Sequence, residues 1–135
     1  MAGVSFDWPI RIYYENTDSG GVVYHSQYLN FMERARTEWL RLLGFEHTVL
    51  KDQLGLIFVV RKLNIQYKKP AKFNDALIVR SRTQELKQCV LIFNQQILRD
   101  NEILIDAEVE VVSVDALSFK PTRLPQAIKN ALANL

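Results

Sequence analysis

The sequence predicts an α+β fold in which an antiparallel sheet of about five strands packs against one central helix. Three observations carry this reading. Residues 28–43 hold apolar side chains at helical spacing, whereas after Gly44 the pattern changes to period two. A short strand-like run precedes the helix in "WPIRIYY". The later strands are joined by tight, turn-rich connections, which suit antiparallel neighbours and not a parallel doubly wound sheet.

Taken in order, Ile10, Ile12 and Tyr14 alternate with Arg11 and Tyr13, so the first strand is expected to run to Tyr14, with Pro9 near its start. Tyr28, Met32, Ala35, Trp39 and Leu42 then form one helical stripe, widened by Leu29, Phe31, Leu40 and Leu43. Glu33 with Arg36, Arg34 with Glu38, and Glu38 with Arg41 stand at helical neighbour spacings on what reads as a solvated face, and Gly44 supplies a stop. "IFVVRKLNIQY" carries Leu63, Ile65 and Tyr67 on one side, and "ALIVRSRT" carries Leu77, Val79 and Ser81. "CVLIFNQQIL" and "ILIDAEVEVVSV" read as a hairpin joined across Asp100-Asn101. Pro125 opens a closing helix with Ile128, Leu132 and Leu135 on one face.

The 135 residues, 48% hydrophobic and 24% charged, fit one domain spanning 1–135 with an ordinary core. Seventeen Lys and Arg against fifteen Asp and Glu leave a net charge of +2, scattered along the chain, which weighs against nucleic acid and leaves a small anionic ligand open. Cys89 is the only cysteine. It sits in the apolar run "CVLIF" and reads as a small hydrophobe, in keeping with a reducing, cytoplasmic setting. No transmembrane segment is expected, since no apolar run approaches about 18 residues.

The motifs for dinucleotide, nucleotide and serine-hydrolase chemistry are missing. His25 and His47 are the only histidines and show no metal-ligand spacing, so neither a metal nor any other cofactor is expected. What remains is "TDSGGVVYH", in which Asp18 precedes two glycines and a helix start. Asp-Ser-Gly-Gly is good turn chemistry in its own right. The same geometry also sets a carboxylate beside the unpaired N–H groups of a helix N-terminus, which can stabilise an oxyanion. Glycine there lets a substrate carbonyl approach the backbone closely. So sparse a site suits a thioester, because its thiolate, with a conjugate acid near a pKa of about 8.5, leaves with little acid assistance. Asp18 would attack the carbonyl or deprotonate water, and the residues do not choose between the two.

"YYENTDSGGVVYHSQYLNFMERARTEWLR", "FVVRKLNIQYKKPAKFND" and the closing "KPTRLP" resemble the YbgC-type acyl-CoA thioesterases associated with the Tol-Pal envelope system. These belong to the 4-hydroxybenzoyl-CoA thioesterase group of hotdog-fold proteins. The resemblance runs nearly end to end, and its most specific element is an Asp-x-x-Gly-x-Val-x-x-x-x-Tyr pattern met by Asp18, Gly21, Val23 and Tyr28. It implies a hotdog fold, a homodimer or dimer-of-dimers tetramer with a shared site, an acyl-CoA substrate, and contacts with acyl carrier protein or lipid-synthesis proteins. It makes Asp18 the catalytic carboxylate and His25 its helper. It also implies an oxyanion or substrate-binding group at Gly21, Val23 and Tyr24. Asn16 departs from relatives that carry an acid there, leaving Asp18 alone. Two rival functions stand beside it: a hotdog dehydratase or hydratase using His25 and Glu33, and a binding partner with little activity.

Overall fold

Tyr28, Phe31, Met32, Ala35, Trp39 and Leu40 form the buried side of helix α1 (Gln27–Leu42) in the computed structural model, which describes residues 5–133. Around α1 run β1 (Ser5–Arg11), β2 (Leu56–Tyr67), β3 (Ala76–Leu86), β4 (Val90–Arg99) and β5 (Glu102–Asp115), with short helices α2 (His47–Leu54) and α3 (Gln126–Ala133). The strands form one five-stranded antiparallel sheet in the order β1-β3-β4-β5-β2. The inner positions of β3 are the expected Leu77, Val79 and Ser81, all at most 1% exposed. They meet α1 together with Phe93, Ile105 and Val109. Trp39 lies flat against Phe6, centroids 6.0 Å apart, and tilts onto Phe93 at 6.1 Å.

The β4–β5 hairpin turns at Asp100-Asn101 as the sequence indicates, with Asp100 at φ 56°. In α3, Ile128 and Leu132 are fully buried, whereas Leu135 lies outside the described residues. Cys89 is half-buried against a second apolar cluster of Val90, Ile92, Val112 and Val114. Among the described residues no helix is long and apolar enough to cross a membrane.

Four expectations need correcting. The first strand stops at Arg11, and Tyr14 sits 74% exposed in a 3₁₀ turn over Tyr14–Asn16. There Asn16 Oδ1 accepts the Tyr13 N–H at 2.8 Å, so the chain leaves the sheet early. Leu42 falls past the buried stripe and is 72% exposed. The chain does not pass straight from Gly44 into strands. It forms α2, whose Leu50 alone is buried and whose end is set by Gly55 in the left-handed region at φ 62°. Finally, the charged side of α1 is not wholly solvated, because Arg36 reaches inward to Gln95 Oε1 at 2.9 Å.

The sheet ends in β1 on one side and β2 on the other, and a bulge at Arg61 interrupts the alternation of β2: Val60 pairs with Val111 and Lys62 with Glu110. The extra residue brings Val60 and Leu63 to the same inner side. Leu63, Ile65 and Tyr67 do share a side, as their spacing predicts, yet Leu63 and Tyr67 remain exposed.

Candidate active site

Asp18 stands at the tip of a narrow loop. Its N–H donates to Val22 O at 2.9 Å, and its carbonyl accepts from Gly21 N at 3.1 Å. Its Oδ1 accepts from Gly20 N at 2.8 Å. Thr17 and Val23 pair across the base. Gly21 takes φ 81°, a conformation that a side chain would strain. The loop is bound to its surroundings on both flanks: Val23 N donates to Ala71 O and Tyr24 N to Asn16 O, each at 2.9 Å. Asn16 is buried and bridges the two sides, accepting from Tyr13 N and donating through Nδ2 to Gln27 Oε1 at 2.9 Å. A carboxylate at that position has no donor and would keep the second contact only by accepting from a turned Gln27 amide.

The start of α1 is held by two tyrosines. Tyr28 Oη accepts from Ala71 N at 3.0 Å, and Tyr67 Oη donates to His25 O at 3.2 Å. Burial pushes the Tyr28 phenol upward, so it stays protonated and serves as a structural group. The amides of Gly21, Val23 and Tyr24 are thus all hydrogen-bonded within the chain. Among the described residues no partner meets the N–H groups of His25 and Ser26. Ser26 caps α1 without a side-chain bond, while Gln27 N donates to Tyr24 O at 2.9 Å and Leu29 N to Ser26 O at 3.2 Å, so the open amides are those of His25 and Ser26, just ahead of the positive end of the helix dipole.

A cavity of about 280 Å³ opens beside this helix start, lined by Val23, His25, Tyr28, Tyr67, Lys68, Lys69 and Pro70. Of the site residues expected from sequence, Val23 and His25 line it, together with Tyr28 of the family pattern. Asp18, exposed on its loop, does not. His25 is exposed, its ring 4.4 Å from that of Tyr24. Glu33 lies farther along α1, lining a separate cleft.

Sequence reasoning missed the support beneath the cavity. Arg99, at the end of β4, donates to Asp75 Oδ2 and Glu102 Oε1 at 2.9 Å and to Pro70 O at 3.3 Å. Asp75 Oδ2 also accepts the Lys72 N–H at 2.9 Å. Lys69 pairs with Glu102, and Lys69 with Arg99 holds the Glu102 carboxyl below its usual range. The segment that receives the Asp18 loop is therefore tied to the sheet by Arg99 together with backbone bonds from Lys68 and Lys69 to Leu104 O and between Ile12 and Asn74-Asp75. Among the described residues no group of three or more His, Cys, Asp or Glu is placed to hold a metal.

A five-stranded antiparallel sheet curled on one long helix is the hotdog architecture. Residues 13–132 match the thioesterase-like superfamily, and the chain belongs to it. It is 44% identical over 135 residues to the acyl-CoA thioesterase YbgC of Haemophilus influenzae, covering 100% of this chain and 99% of that protein. It is 45% identical over 124 residues to the acyl-CoA thioester hydrolase YbgC of Escherichia coli O157:H7, covering 91% of this chain and 92% of the relative. Among solved structures, a probable thioesterase from Bartonella henselae superposes with a TM-score of 0.87 at 37% identity. That match covers 90% of this chain and 100% of the other.

Proposed function

We propose that the protein hydrolyses acyl-CoA thioesters to a carboxylic acid and free CoA, with Asp18 as the reacting carboxylate. The observation that supports this most directly is an exposed Asp18 on a hydrogen-bonded loop that leads within a few residues to the unpartnered N–H groups of His25 and Ser26 ahead of α1. The likeness to proteins named acyl-CoA thioesterases supports the substrate class. The thioester oxygen points at the His25 N–H, the first amide after Tyr24 without an internal partner, which also takes the helix dipole. Gly21 and Val23 act by shaping the loop, their own amides being occupied.

Asp18 works by one of two balanced routes. As a nucleophile it bonds to the acyl carbon, CoA leaves as thiolate, and water then opens the acyl-aspartyl anhydride. As a base it takes a proton from water, whose hydroxide attacks while the same thiolate leaves. A single turnover in ¹⁸O-water separates them, since the first route alone can leave the label on Asp18. The enzyme needs no cofactor beyond the CoA of its substrate.

The decisive experiment follows free thiol during incubation with a panel of acyl-CoA esters. Thiol release supports hydrolysis; addition across an enoyl-CoA double bond without thiol release supports the hydratase reading instead. His25 has two separable roles in this site, through its ring and through its amide. His25→Ala should lower kcat by about 10- to 100-fold with the fold intact if the ring joins in proton transfer. Kinetics equal to those of the parent protein would leave the backbone amide as its sole contribution.

The same reading includes assembly into a homodimer or a pair of dimers. Strand β2 is an unpaired edge with Val60 51%, Tyr67 48% and Leu63 37% exposed on one side, an edge that a second copy would cover. Light scattering should therefore find no active monomer at micromolar concentration. A monomer with full activity would refute a shared site. Through the family resemblance, the reading extends to a cytoplasmic enzyme serving the Tol-Pal envelope system and meeting acyl carrier protein or lipid-synthesis proteins.

A further inference from the structure

Arg36 leaves the solvated side of α1 and is mostly buried, donating through Nη1 to Gln95 Oε1 at 2.9 Å. A guanidinium carries five N–H donors, and a neutral amide cannot balance its charge. Among the described residues no carboxylate lies within ion-pairing distance of it. Burial accordingly lowers its pKa to about 10, against the opposing pull of Glu33. A desolvated cation of this kind calls for an anion.

The space for one is present. Arg36, Glu33 and Val60 line two adjoining cavities of about 200 Å³ and 220 Å³. The first also meets Thr37 and His47, and His47 Nδ1 is buried with no hydrogen-bond partner. Burial, then Arg36 and Arg41, hold the His47 pKa down, so its imidazole is neutral and carries one N–H. The second cavity is apolar, with Leu29, Met32, Leu63 and Val109 on its walls. Leu29 follows Tyr28 along α1, and Leu63 shares a side of β2 with Tyr67, while Tyr28 and Tyr67 line the cavity at His25. The cavity at His25 and this apolar one share no lining residue, yet both take walls from α1 and β2, so an acyl chain entering at His25 and lying between these elements would follow a trough of apolar side chains toward Arg36. At about 1.5 Å per residue, Arg36 stands roughly 14 Å along α1 from Gln27.

We propose that this trough receives the acyl group and that Arg36, assisted by Thr37 and His47, binds a carboxylate at its far end, so that the preferred substrates are half-thioesters of dicarboxylic acids. The proposal rests on the thioesterase reading. A planar guanidinium grips a carboxylate through paired N–H bonds, and the Thr37 hydroxyl and the His47 Nδ1–H tautomer supply further donors. A methyl-terminated chain would fill the trough but leave Arg36 without a counter-ion. Glu33, exposed at the rim, works against an incoming carboxylate and so weakens the preference without reversing it.

The test is kcat/KM, by thiol release, for medium-chain CoA esters of equal backbone length ending in methyl, hydroxyl or carboxylate. The carboxylate ester should exceed the methyl ester by about 10-fold or more, the scale of one charge-assisted contact worth about 1.4 kcal/mol. Arg36→Met should bring that ratio close to one, and Glu33→Gln should raise it. Because Arg36 also steadies Gln95, Thr37→Val serves as an arm that leaves this bond alone, and it should reduce the ratio in part. A methyl or hydroxyl ester preferred by the unaltered protein overturns the proposal, as does a ratio that survives Arg36→Met. A ratio near one in the unaltered protein, which a second protomer's carboxylate on Arg36 would produce, overturns it too. In each of these results hydrolysis itself persists. An unaltered protein that releases thiol from none of the esters refutes the thioesterase reading along with it.

Discussion

Asp18→Asn should reduce kcat on acyl-CoA by about 100-fold or more and leave Tm nearly unchanged, because the loop uses one oxygen of the side chain and the chemistry uses its charge. The structural part is a single bond, from Gly20 N to Asp18 Oδ1 at 2.8 Å, and an asparagine oxygen accepts it equally well. The other bonds that close the loop run through the backbone of Asp18, from its N–H to Val22 and from Gly21 to its carbonyl. None of them depends on the carboxylate. What asparagine cannot do is attack an acyl carbon or take a proton from water. Parallel measurement of melting, oligomeric state and turnover decides the matter. An early-melting variant whose folded fraction turns over at the parent rate would make Asp18 a turn residue only.

That separation was half legible in the sequence. Asp-Ser-Gly-Gly announces a turn, and the apolar stripe from Tyr28 announces the helix behind it, so a carboxylate-bearing turn just ahead of a helix start follows from local chemistry. Which amide stays open does not follow. Tyr24 N is consumed by Asn16 O, and Val23 N by Ala71 O, through contacts that only the folded loop creates. The same limit applies to the elements. Period-two runs with turn residues between them disclose β3, β4 and β5, because each strand's alternation is a local signal. Helix α2 was hidden because its eight residues bury only Leu50, too little to make a stripe. Tyr14 alternates correctly for a strand, yet Asn16 captures the Tyr13 N–H three residues before it and ends the pairing. Arg99 and Arg36 carried no sequence signal of their roles, since the partners that define them, Pro70 and Asp75 for Arg99 and Gln95 for Arg36, lie 24 to 29 and 59 residues away.

Gln95→Leu is expected to be the most damaging change to stability, although leucine is close in size and the site is fully buried. Gln95 is 0% exposed on the inner side of β4. Its Nε2 donates to Met32 O at 3.0 Å and to Ser81 Oγ at 2.9 Å, and its Oε1 accepts from Arg36. Helix α1 is thereby tied by hydrogen bonds to the centre of the sheet. Leucine would leave the 0%-exposed Ser81 hydroxyl short of a partner and take from Arg36 its protein acceptor. An unsatisfied buried group costs about 1 to 3 kcal/mol and a charged one more, while the added apolar burial returns part of the loss. A net loss of about 3 kcal/mol should lower Tm by roughly 10 °C for a chain of this size. Urea unfolding should show a lower midpoint with an unchanged slope. The origin of the loss can be tested by adding Arg36→Met. If the stranded guanidinium is the main penalty, the double variant should recover stability relative to Gln95→Leu alone, because an apolar pair of similar volume replaces a polar pair without leaving a charge unanswered. A double variant less stable than Gln95→Leu would instead show that Arg36 stabilises the fold without Gln95, and that the helix is held to the sheet by packing rather than by this polar tie.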